Sequence, residues 1–494
     1  KTAYWNHTPL LLVTPQAANK TMGQGGFQEV EQMNLFKDMV CYQEEVRDPS
    51  RMAEVLNRVI EKAFRGSAPA QINVPRDYWT QVIDIELPPI VRFERQGGGK
   101  EAIENAAKLL SKAKFPVILS GAGVVLGGAI DECKKLAEKL DAPVCNGYQH
   151  NDSFPGSHPL AVGPLGYNGS KAAMELISKA DVVLALGTRL NPFSTLPGYG
   201  IDYWPKKATI IQVDMNPDRI GLTKKVSVGI CGDAKQVAQQ ILDKLSSDAG
   251  NTGREERKNL IHKTKSAWLQ TLSGLDHEED DPGTVWNKEA RERDKDRMSP
   301  RQAWRAIQDA LPQDAIISSD IGNNCAIGNA YPTFEKPRKY LAPGLFGPCG
   351  YGFPAILGAK IGCPDTPVVG FAGDGAFGIS MNEMSSCARE EWPAITMVIF
   401  RNYQWGAEKR NSILWFDDNF VGTELDPELS YAKVANACGL KGVTCKTMEE
   451  TTKAIKQSCE DQKKGITTFI EIILNQELGE PFRRDAMKKP VKVA

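Results

Sequence analysis

Apolar and polar positions alternate along the chain in blocks that predict three α/β units. Residues 1–90 contain the apolar strand LLLVTP, a glycine-rich turn, an amphipathic helical run and a second strand, PAQINVP. In residues 98–247, short β-rich runs such as FPVILSG and ADVVLALG alternate with helical ones, and residues 299–480 repeat the alternation. This pattern predicts an α/β fold in which each unit is a parallel sheet flanked by helices. The first unit is short for a domain and is expected to be incomplete.

Breaks in the pattern separate these units. Pro88-Pro89 and the run Gly97-Gly98-Gly99 mark the first boundary, because prolines and consecutive glycines interrupt helices and strands. Residues 248–298 form a charged linker. Within it, the strings DHEEDDPG and EARERDKDR, from Asp276 to Arg297, are too polar to bury much surface and are expected to be exposed. Residues 481–494 form a basic tail.

Charge and cysteine content narrow the class of protein. The 494 residues include 60 basic and 61 acidic side chains, which gives a net charge of −1 and argues against a nucleic-acid or anionic-membrane partner. Any anionic ligand must therefore be held by local donors. Eleven cysteines without a CxxC pair are typical of reduced thiols in the cytoplasm, and no apolar stretch approaches a membrane span. Because the chain begins at Lys1 and runs at once into an apolar strand, we expect it to start inside its first domain.

The segment VVGFAGDGAFG carries the clearest chemistry. An apolar strand ends in Gly373-Asp374-Gly375, which places a carboxylate at the carboxyl end of the strand between two residues without side chains. A second apolar strand, Ile395 to Phe400, delivers Asn402 at its own carboxyl end. Carboxylate and amide oxygens at adjacent strand ends suit Mg²⁺, which needs oxygen ligands and completes its shell with phosphate and water. Taken alone, Gly373-Asp374-Gly375 can also be interpreted as a tight strand-to-helix turn that binds no ligand.

The spacing of this motif resembles the signature of thiamine diphosphate-dependent enzymes. The resemblance implies a three-domain fold with an N-terminal pyrimidine-binding domain in 1–90, a central domain in 98–247 and a C-terminal diphosphate-binding domain in 299–480. It implies thiamine diphosphate and Mg²⁺ as cofactors, with Asp374, Asn402 and the main-chain carbonyl of Gln404 as metal ligands. Arg401 departs from the family's asparagine pair, but the metal ligand is the second member of that pair.

Two further stretches match the same family. The string DIGNN places Asn323 and Asn324 where the family contacts the diphosphate, although a helix cap is an alternative there. The string FGPCGYGFP resembles the loop that holds the aminopyrimidine ring, and Cys349 stands where relatives carry a large apolar residue. The implied cofactor contacts are Asn323, Asn324, Gly347, Cys349, Asp374, Gly375, Ala376, Asn402, Gln404 and Trp405.

Long strings elsewhere, including TMGQGGFQEVEQ, NGYQHNDSFPGSHPLAVGPLGYNGSKAAME and FRNYQWGAEKRNSILWFDDNFVGTEL, resemble the sulfoacetaldehyde acetyltransferase family. The resemblance implies an acyltransferase that serves the breakdown of C2 sulfonates such as taurine. In that family the cofactor adds to sulfoacetaldehyde, sulfite leaves, and inorganic phosphate takes the acetyl group from the thiamine-bound intermediate. It further implies a homodimer or homotetramer without nucleic-acid or membrane partners.

The two substrates are anions, so cationic or proton-transferring side chains are required. Candidates for anion binding are Arg483 and Arg484 in the tail, Lys409 and Arg410 after the metal loop, and Arg76. His150 and His7 are candidates for proton transfer, and Gln28 with Glu29 sits where related enzymes line the substrate channel. The alternatives are a solvated surface charge or a structural ion pair for each cation, a structural histidine for His150 and His7, and helix capping for Glu29.

The glutamate that activates the cofactor in most of this family has no match in the sequence. We therefore expect the chain alone to bind thiamine diphosphate weakly and to turn over poorly. Two rival functions stay open at this point: an acetolactate synthase-like carboligase, and a catalytically incomplete cofactor-binding protein.

Overall fold

The computed structural model describes residues 1–89, 94–274, 292–416 and 419–478. The chain divides into two compact units. One comprises residues 1–94 with 343–348, and the other comprises residues 95–342 with 349–494. Within the described ranges, no helix has both the length and the apolar character that crossing a bilayer requires.

The first unit is built on a small parallel sheet in the order β1-β3-β2. Helix α3 covers it, because Val55, Val59 and Ala63 recur at every fourth position and pack with Ile72 and Val74 of the sheet. The bounds of its elements are α1 Thr2–Trp5, β1 Leu10–Gln16, α2 Gln32–Phe36, β2 Tyr42–Glu45, α3 Met52–Gly66 and β3 Pro69–Pro75.

The second unit begins with a six-stranded parallel sheet in the order β6-β5-β4-β7-β8-β9. Its central strands β4 and β7 are buried along their whole length, as expected for a sheet with helices on both faces. Its elements are α4 Lys100–Lys112, β4 Pro116–Ser120, α5 Ala122–Gly127, α6 Ile130–Leu140, β5 Val144–Asn146, β6 Ala161–Pro164, α7 Lys171–Ile177, β7 Val182–Leu186, β8 Thr209–Asp214, β9 Val228–Cys231, α8 Ala234–Lys244 and α9 Arg254–Gly274.

A second six-stranded parallel sheet, in the order β11-β10-β12-β13-β15-β14, forms the rest of this unit. Ser299 and Thr447 start two of its helices with reciprocal capping boxes. Its elements are α10 Pro300–Gln308, β10 Ile316–Ser319, α11 Asn323–Ile327, β11 Tyr340–Leu341, α12 Gly352–Gly362, β12 Val368–Gly373, α13 Asp374–Ser380, α14 Met384–Cys387, β13 Thr396–Arg401, α15 Gly406–Trp415, α16 Tyr431–Ala437, β14 Lys441–Cys445, α17 Met448–Gln462 and β15 Thr468–Ile473.

Three parallel sheets flanked by helices confirm the predicted α/β fold class. The domain boundaries stay a prediction, since the second and third sheets belong to one compact unit.

The charged linker predicted over 248–298 contains buried charges where the structure describes it, and Asp294 corrects the exposure expected from Asp276 to Arg297. Residues 254–274 form the long helix α9, whose Arg257 is 1% exposed and donates to five main-chain oxygens of residues 114, 140, 141, 250 and 252. Asp294 is also fully buried and pairs with Arg293 and Arg297. Composition overstated the exposure, because charged side chains are buried here by hydrogen bonding. Residues 275–291 lie outside the described part of the chain.

The two six-stranded sheets are joined by polar side chains of the loop after β5. Asn151 donates to the main-chain oxygens of Asn329 and Pro332, and Asp152 accepts from the main-chain N–H of Lys339 at 2.9 Å. An aromatic cluster that includes Tyr148 and Tyr167 packs beside these bonds.

Candidate cofactor and metal site

Asp374 lies at the carboxyl end of β12, as the sequence predicts, and its side chain is buried. One carboxylate oxygen accepts the main-chain N–H of Gly375 at 3.0 Å, and the other accepts those of Asn402 at 3.1 Å and Tyr403 at 2.7 Å. Burial raises the pKa of Asp374 to about 6, while the hydrogen bond from Tyr403 and the charge of Arg401 oppose that rise. A bound cation would favour the ionised form of this carboxyl group.

Asn402 and Gln404 follow β13, which pairs with β12 in parallel. Both are buried, and the side-chain amide of Asn402 has no hydrogen-bond partner among the described residues. No described residue donates a hydrogen bond to the main-chain oxygen of Gln404, and the side-chain Oε1 of Gln404 is buried without a partner among the same residues. The structure therefore brings a carboxylate, an amide and a free main-chain carbonyl to adjacent strand ends.

Gly375 is required by the close approach of Trp405. A methyl group at Gly375 would come within 2.8 Å of the indole ring, so the loop and the ring pack against each other only because this residue has no side chain. Ala376 follows and is buried in α13. These two residues and Trp405 therefore lie beside the strand end that carries Asp374.

Asn323 and Asn324 open the short helix α11, with Gly322 at its cap in a left-handed conformation (φ +117°). Both side chains are about 5% exposed. The Oδ1 atom of Asn323 accepts from Arg410, whereas its Nδ2 and the Oδ1 of Asn324 are buried without partners. These asparagines are not cap residues, and they hold unused polar atoms close to the start of α15, since a methyl group at Gly406 would lie 3.0 Å from Asn323 Nδ2.

Asp320 is a structural residue of this site that the sequence analysis missed. Its carboxylate accepts the main-chain N–H groups of Ile321 at 2.8 Å, Gly350 at 3.1 Å and Gly352 at 2.6 Å, and burial raises its pKa to about 6. It thereby anchors the segment from residue 349 onward. The available signal was its place at the carboxyl end of β10, directly before the two asparagines.

Cys349 is exposed, and burial of its thiol is only partial. Desolvation, with smaller contributions from the charges of Asp320 and Glu408, raises the pKa of Cys349 to about 11. The thiol is therefore protonated near neutral pH and does not present a reactive thiolate.

Arg401, which replaces the first asparagine of the family's pair, is a buried structural cation. It pairs with Glu471 at 3.1 Å, donates to the main-chain oxygen of Asp426 at 2.8 Å, and lies over the rings of Tyr403 and Tyr431. The departure from the pair thus supplies a buried ion pair beneath the loop that carries Asn402, and Arg401 does not contact the side-chain oxygen of Asn402.

Lys409 and Arg410 are buried, so neither is the solvated surface charge that was the alternative to anion binding. Lys409 pairs with Glu424 and contacts Gln476. Arg410 is fully buried, and its partners are the neutral oxygens of Asn323, Tyr167 and Leu478.

His150 lies in the second unit, in the loop after β5, directly before Asn151 and Asp152, which bond to the neighbouring sheet. Burial and, to a lesser degree, the charge of Arg189 lower the pKa of His150 to about 4. The ring is therefore neutral at pH 7 and is a weaker base than a free imidazole. Its part in proton transfer stays a prediction.

Other predicted site residues are placed elsewhere or not described. Gln28 and Gly347 belong to the first unit, where Gln28 is exposed with φ +60° and Glu29 accepts from Gly23 and Gly26. Glu29 therefore closes its own glycine-rich loop and does not cap a helix. Arg483 and Arg484 lie outside the described residues.

The parallel sheet that carries Asp374 and Asn402 at neighbouring strand ends belongs to a thiamine pyrophosphate-dependent enzyme. Two family models agree: the central domain of thiamine pyrophosphate enzymes matches residues 103–241, and the C-terminal TPP binding domain matches residues 320–472.

Whole-chain relatives define the family more narrowly. The "Probable sulfoacetaldehyde acetyltransferase" of Rhizobium meliloti (strain 1021) is 79% identical over 494 residues, which is 100% of this chain and 84% of that protein. The "Sulfoacetaldehyde acetyltransferase" of Roseovarius nubinhibens is 78% identical over 100% of this chain and 82% of its own length. The "Probable acetolactate synthase large subunit" of Methanocaldococcus jannaschii is 29% identical over 92% of this chain and 76% of its own length. The chain belongs to the sulfoacetaldehyde acetyltransferase family of thiamine pyrophosphate enzymes.

Proposed function

We propose that this protein converts sulfoacetaldehyde and inorganic phosphate to acetyl phosphate and sulfite, with thiamine diphosphate and Mg²⁺ as cofactors. The structural observation that carries the proposal is the meeting of Asp374, Asn402 and Gln404 at adjacent strand ends with oxygen atoms still available. The names of the relatives at 78–79% identity supply the substrate. The reaction fits the breakdown of C2 sulfonates such as taurine.

The metal would be held by the carboxylate of Asp374, the side-chain oxygen of Asn402 and the main-chain oxygen of Gln404. Oxygen ligands suit Mg²⁺, which completes its coordination with phosphate oxygens and water. The buried carboxyl of Asp374 is held in place by three main-chain N–H groups, so its orientation is fixed before any ligand arrives. When bound, the thiazolium ring of thiamine diphosphate supplies the carbanion and the electron sink.

The diphosphate would be met by the unused N–H group of Asn323 and by the glycine loop around Gly375. A buried donor without a partner is unfavourable by about 1–3 kcal/mol, and an anion in the site removes that penalty. Asp320 supports the segment from residue 349, where Cys349 is proposed to lie against the cofactor as the resemblance implies.

The anionic substrates still require cations at the surface of the site. Arg483 and Arg484 remain our proposal for this role, together with Gln28 for the substrate channel and His150 for proton transfer. Lys409 is a weaker candidate than its sequence position indicated, because its charge is already paired with Glu424.

We also propose a cytoplasmic homodimer or homotetramer. All eleven cysteines are free thiols in the structure, which supports a reducing compartment. The oligomer is inferred from the family, and sedimentation or size-exclusion chromatography with light scattering would measure it.

The decisive experiment is to incubate the protein with sulfoacetaldehyde, phosphate, thiamine diphosphate and Mg²⁺ and to measure sulfite and acetyl phosphate. Equal amounts of both products are expected, and Asp374→Asn should abolish their formation. Acetolactate and CO₂ from pyruvate, without sulfite from sulfoacetaldehyde, would show a carboligase instead. Cofactor binding without either reaction would show a binding protein that lacks catalysis.

A further inference from the structure

Arg410 is an unusual residue, because its guanidinium is fully buried and meets no carboxylate among the described residues. The acceptors that the structure describes are Asn323 Oδ1, the hydroxyl of Tyr167 and the main-chain oxygen of Leu478, and no described residue accepts from its Nε. Buried cations are normally retained only where an opposite charge or a well-formed hydrogen-bond network compensates them. Within the described ranges of the chain, Arg410 meets neutral acceptors only.

The contact with Asn323 determines which way that side-chain amide points. A guanidinium can only donate hydrogen bonds, so it must meet the oxygen of the amide. The amide nitrogen is thereby turned the other way, toward Gly406 at the start of α15, and Asn323 Nδ2 is buried there without an acceptor. The structure thus holds a donor ready for an acceptor that the described residues do not supply.

We propose that Arg410 is a positioning residue that fixes the Asn323 amide with its N–H group toward the phosphate groups of the cofactor. This inference rests on the proposed function, because it takes thiamine diphosphate as the ligand. Tyr167, in the loop that follows β6, holds Arg410, so the chain of contacts runs from Tyr167 through Arg410 to Asn323. Without Arg410, the amide is free to turn its oxygen toward the phosphate, which replaces an attraction by a repulsion between two acceptors.

The test is a double-mutant cycle on cofactor affinity, measured by isothermal titration calorimetry with Mg²⁺ present. Arg410→Gln and Asn323→Ala are each expected to weaken thiamine diphosphate binding by about tenfold to a hundredfold, the value of one hydrogen bond to a charged group. The double variant should bind about as weakly as Asn323→Ala alone, because Arg410 acts through Asn323. Binding of inorganic pyrophosphate should follow the same pattern, and binding of thiamine without phosphate should not change.

Arg257→Gln is the matched control, since Arg257 is equally buried and also bonds to neutral oxygens, but lies in helix α9 and contacts the chain around Leu140 and Asp141 instead of Asn323. It should lower the melting temperature and leave the cofactor dissociation constant unchanged. Arg410→Lys should restore part of the lost affinity, and it replaces Arg410→Gln in the cycle if that variant does not fold.

Two results would overturn the inference: unchanged affinity in the folded Arg410 variants, or a further full loss when Arg410→Gln is added to Asn323→Ala. In both cases the wild type still binds the cofactor, so the proposed function survives. If the wild-type protein binds neither thiamine diphosphate nor pyrophosphate, the proposed function fails as well.

Discussion

Replacing Arg401 by asparagine would restore the asparagine pair of the family, and we expect this change to destabilise the protein. In the structure Arg401 is 1% exposed and Glu471 is 2% exposed, with 3.1 Å between the Nε and Oε1 atoms. The arginine also donates to the main-chain oxygen of Asp426 at 2.8 Å. An asparagine is too short to reach these partners, so Glu471 would stay buried without its cation.

The size of the loss in unfolding free energy depends on the hydrogen bonds that Glu471 keeps without Arg401. Removing one member of a buried ion pair is unfavourable by about 3–5 kcal/mol, because the remaining charge is left uncompensated. Glu471 retains hydrogen bonds from the Ser430 hydroxyl at 2.7 Å, the Tyr431 N–H at 3.3 Å and the Thr444 hydroxyl at 3.3 Å. We therefore expect the lower part of that range, about 3 kcal/mol.

Urea unfolding of the wild type, Arg401→Asn, Glu471→Gln and the double variant would measure this energy. The double variant should be more stable than Arg401→Asn alone, because it removes the stranded charge. Arg389→Asn is the control, since the exposed pair of Arg389 with Glu391 should contribute no more than about 1 kcal/mol. If Arg401→Asn unfolds at the same urea concentration as the wild type, the argument from the buried ion pair is wrong.

Three further predictions concern the site. Asp374→Asn should weaken Mg²⁺-dependent binding of thiamine diphosphate by about tenfold or more in calorimetry, and unchanged affinity would contradict the metal assignment. Gly375→Ala should lower stability by about 1–3 kcal/mol, because its methyl group would lie 2.8 Å from the Trp405 ring; an unchanged melting temperature would count against this packing. The pKa of Asp320 is raised to about 6 in the folded state, so the folded protein keeps a proton that the unfolded chain loses above about pH 4. The contribution of Asp320 to stability therefore falls as pH rises from about 4 to about 6. Asp320→Asn should make the fall of melting temperature over that range less steep, although Asp374 still contributes to it, and an identical slope in the variant would refute the argument.

The fold class and the central pair of the site were predictable because they depend on local pattern. Parallel strands end at the same edge of a sheet, so two apolar runs followed by Asp374 and Asn402 are sufficient to place those residues together. The family followed from long matching strings, and the relatives confirm it.

The buried charges could not be predicted in the same way. Arg257 and Arg410 occur in polar surroundings in the sequence, and Arg401 ends an apolar run. Each is buried by partners distant in the chain. Composition counts such residues as exposed, which is why 248–298 was interpreted as a linker although it contains α9. Asp320 was missed for a related reason, since its partners at Gly350 and Gly352 are main-chain groups that carry no sequence signal.

The contact between Tyr167 and Arg410 restricts how this enzyme can be recombined. A chimera that took its central sheet from another thiamine enzyme would bring a foreign side chain to the position of Tyr167, and would also change Asn151 and Asp152, which bond to the neighbouring sheet. The two sheets therefore have to be exchanged together. A chimera of two relatives should fold only when Tyr167, Asn151 and Asp152 come from the same parent as the diphosphate-binding sequence that they contact.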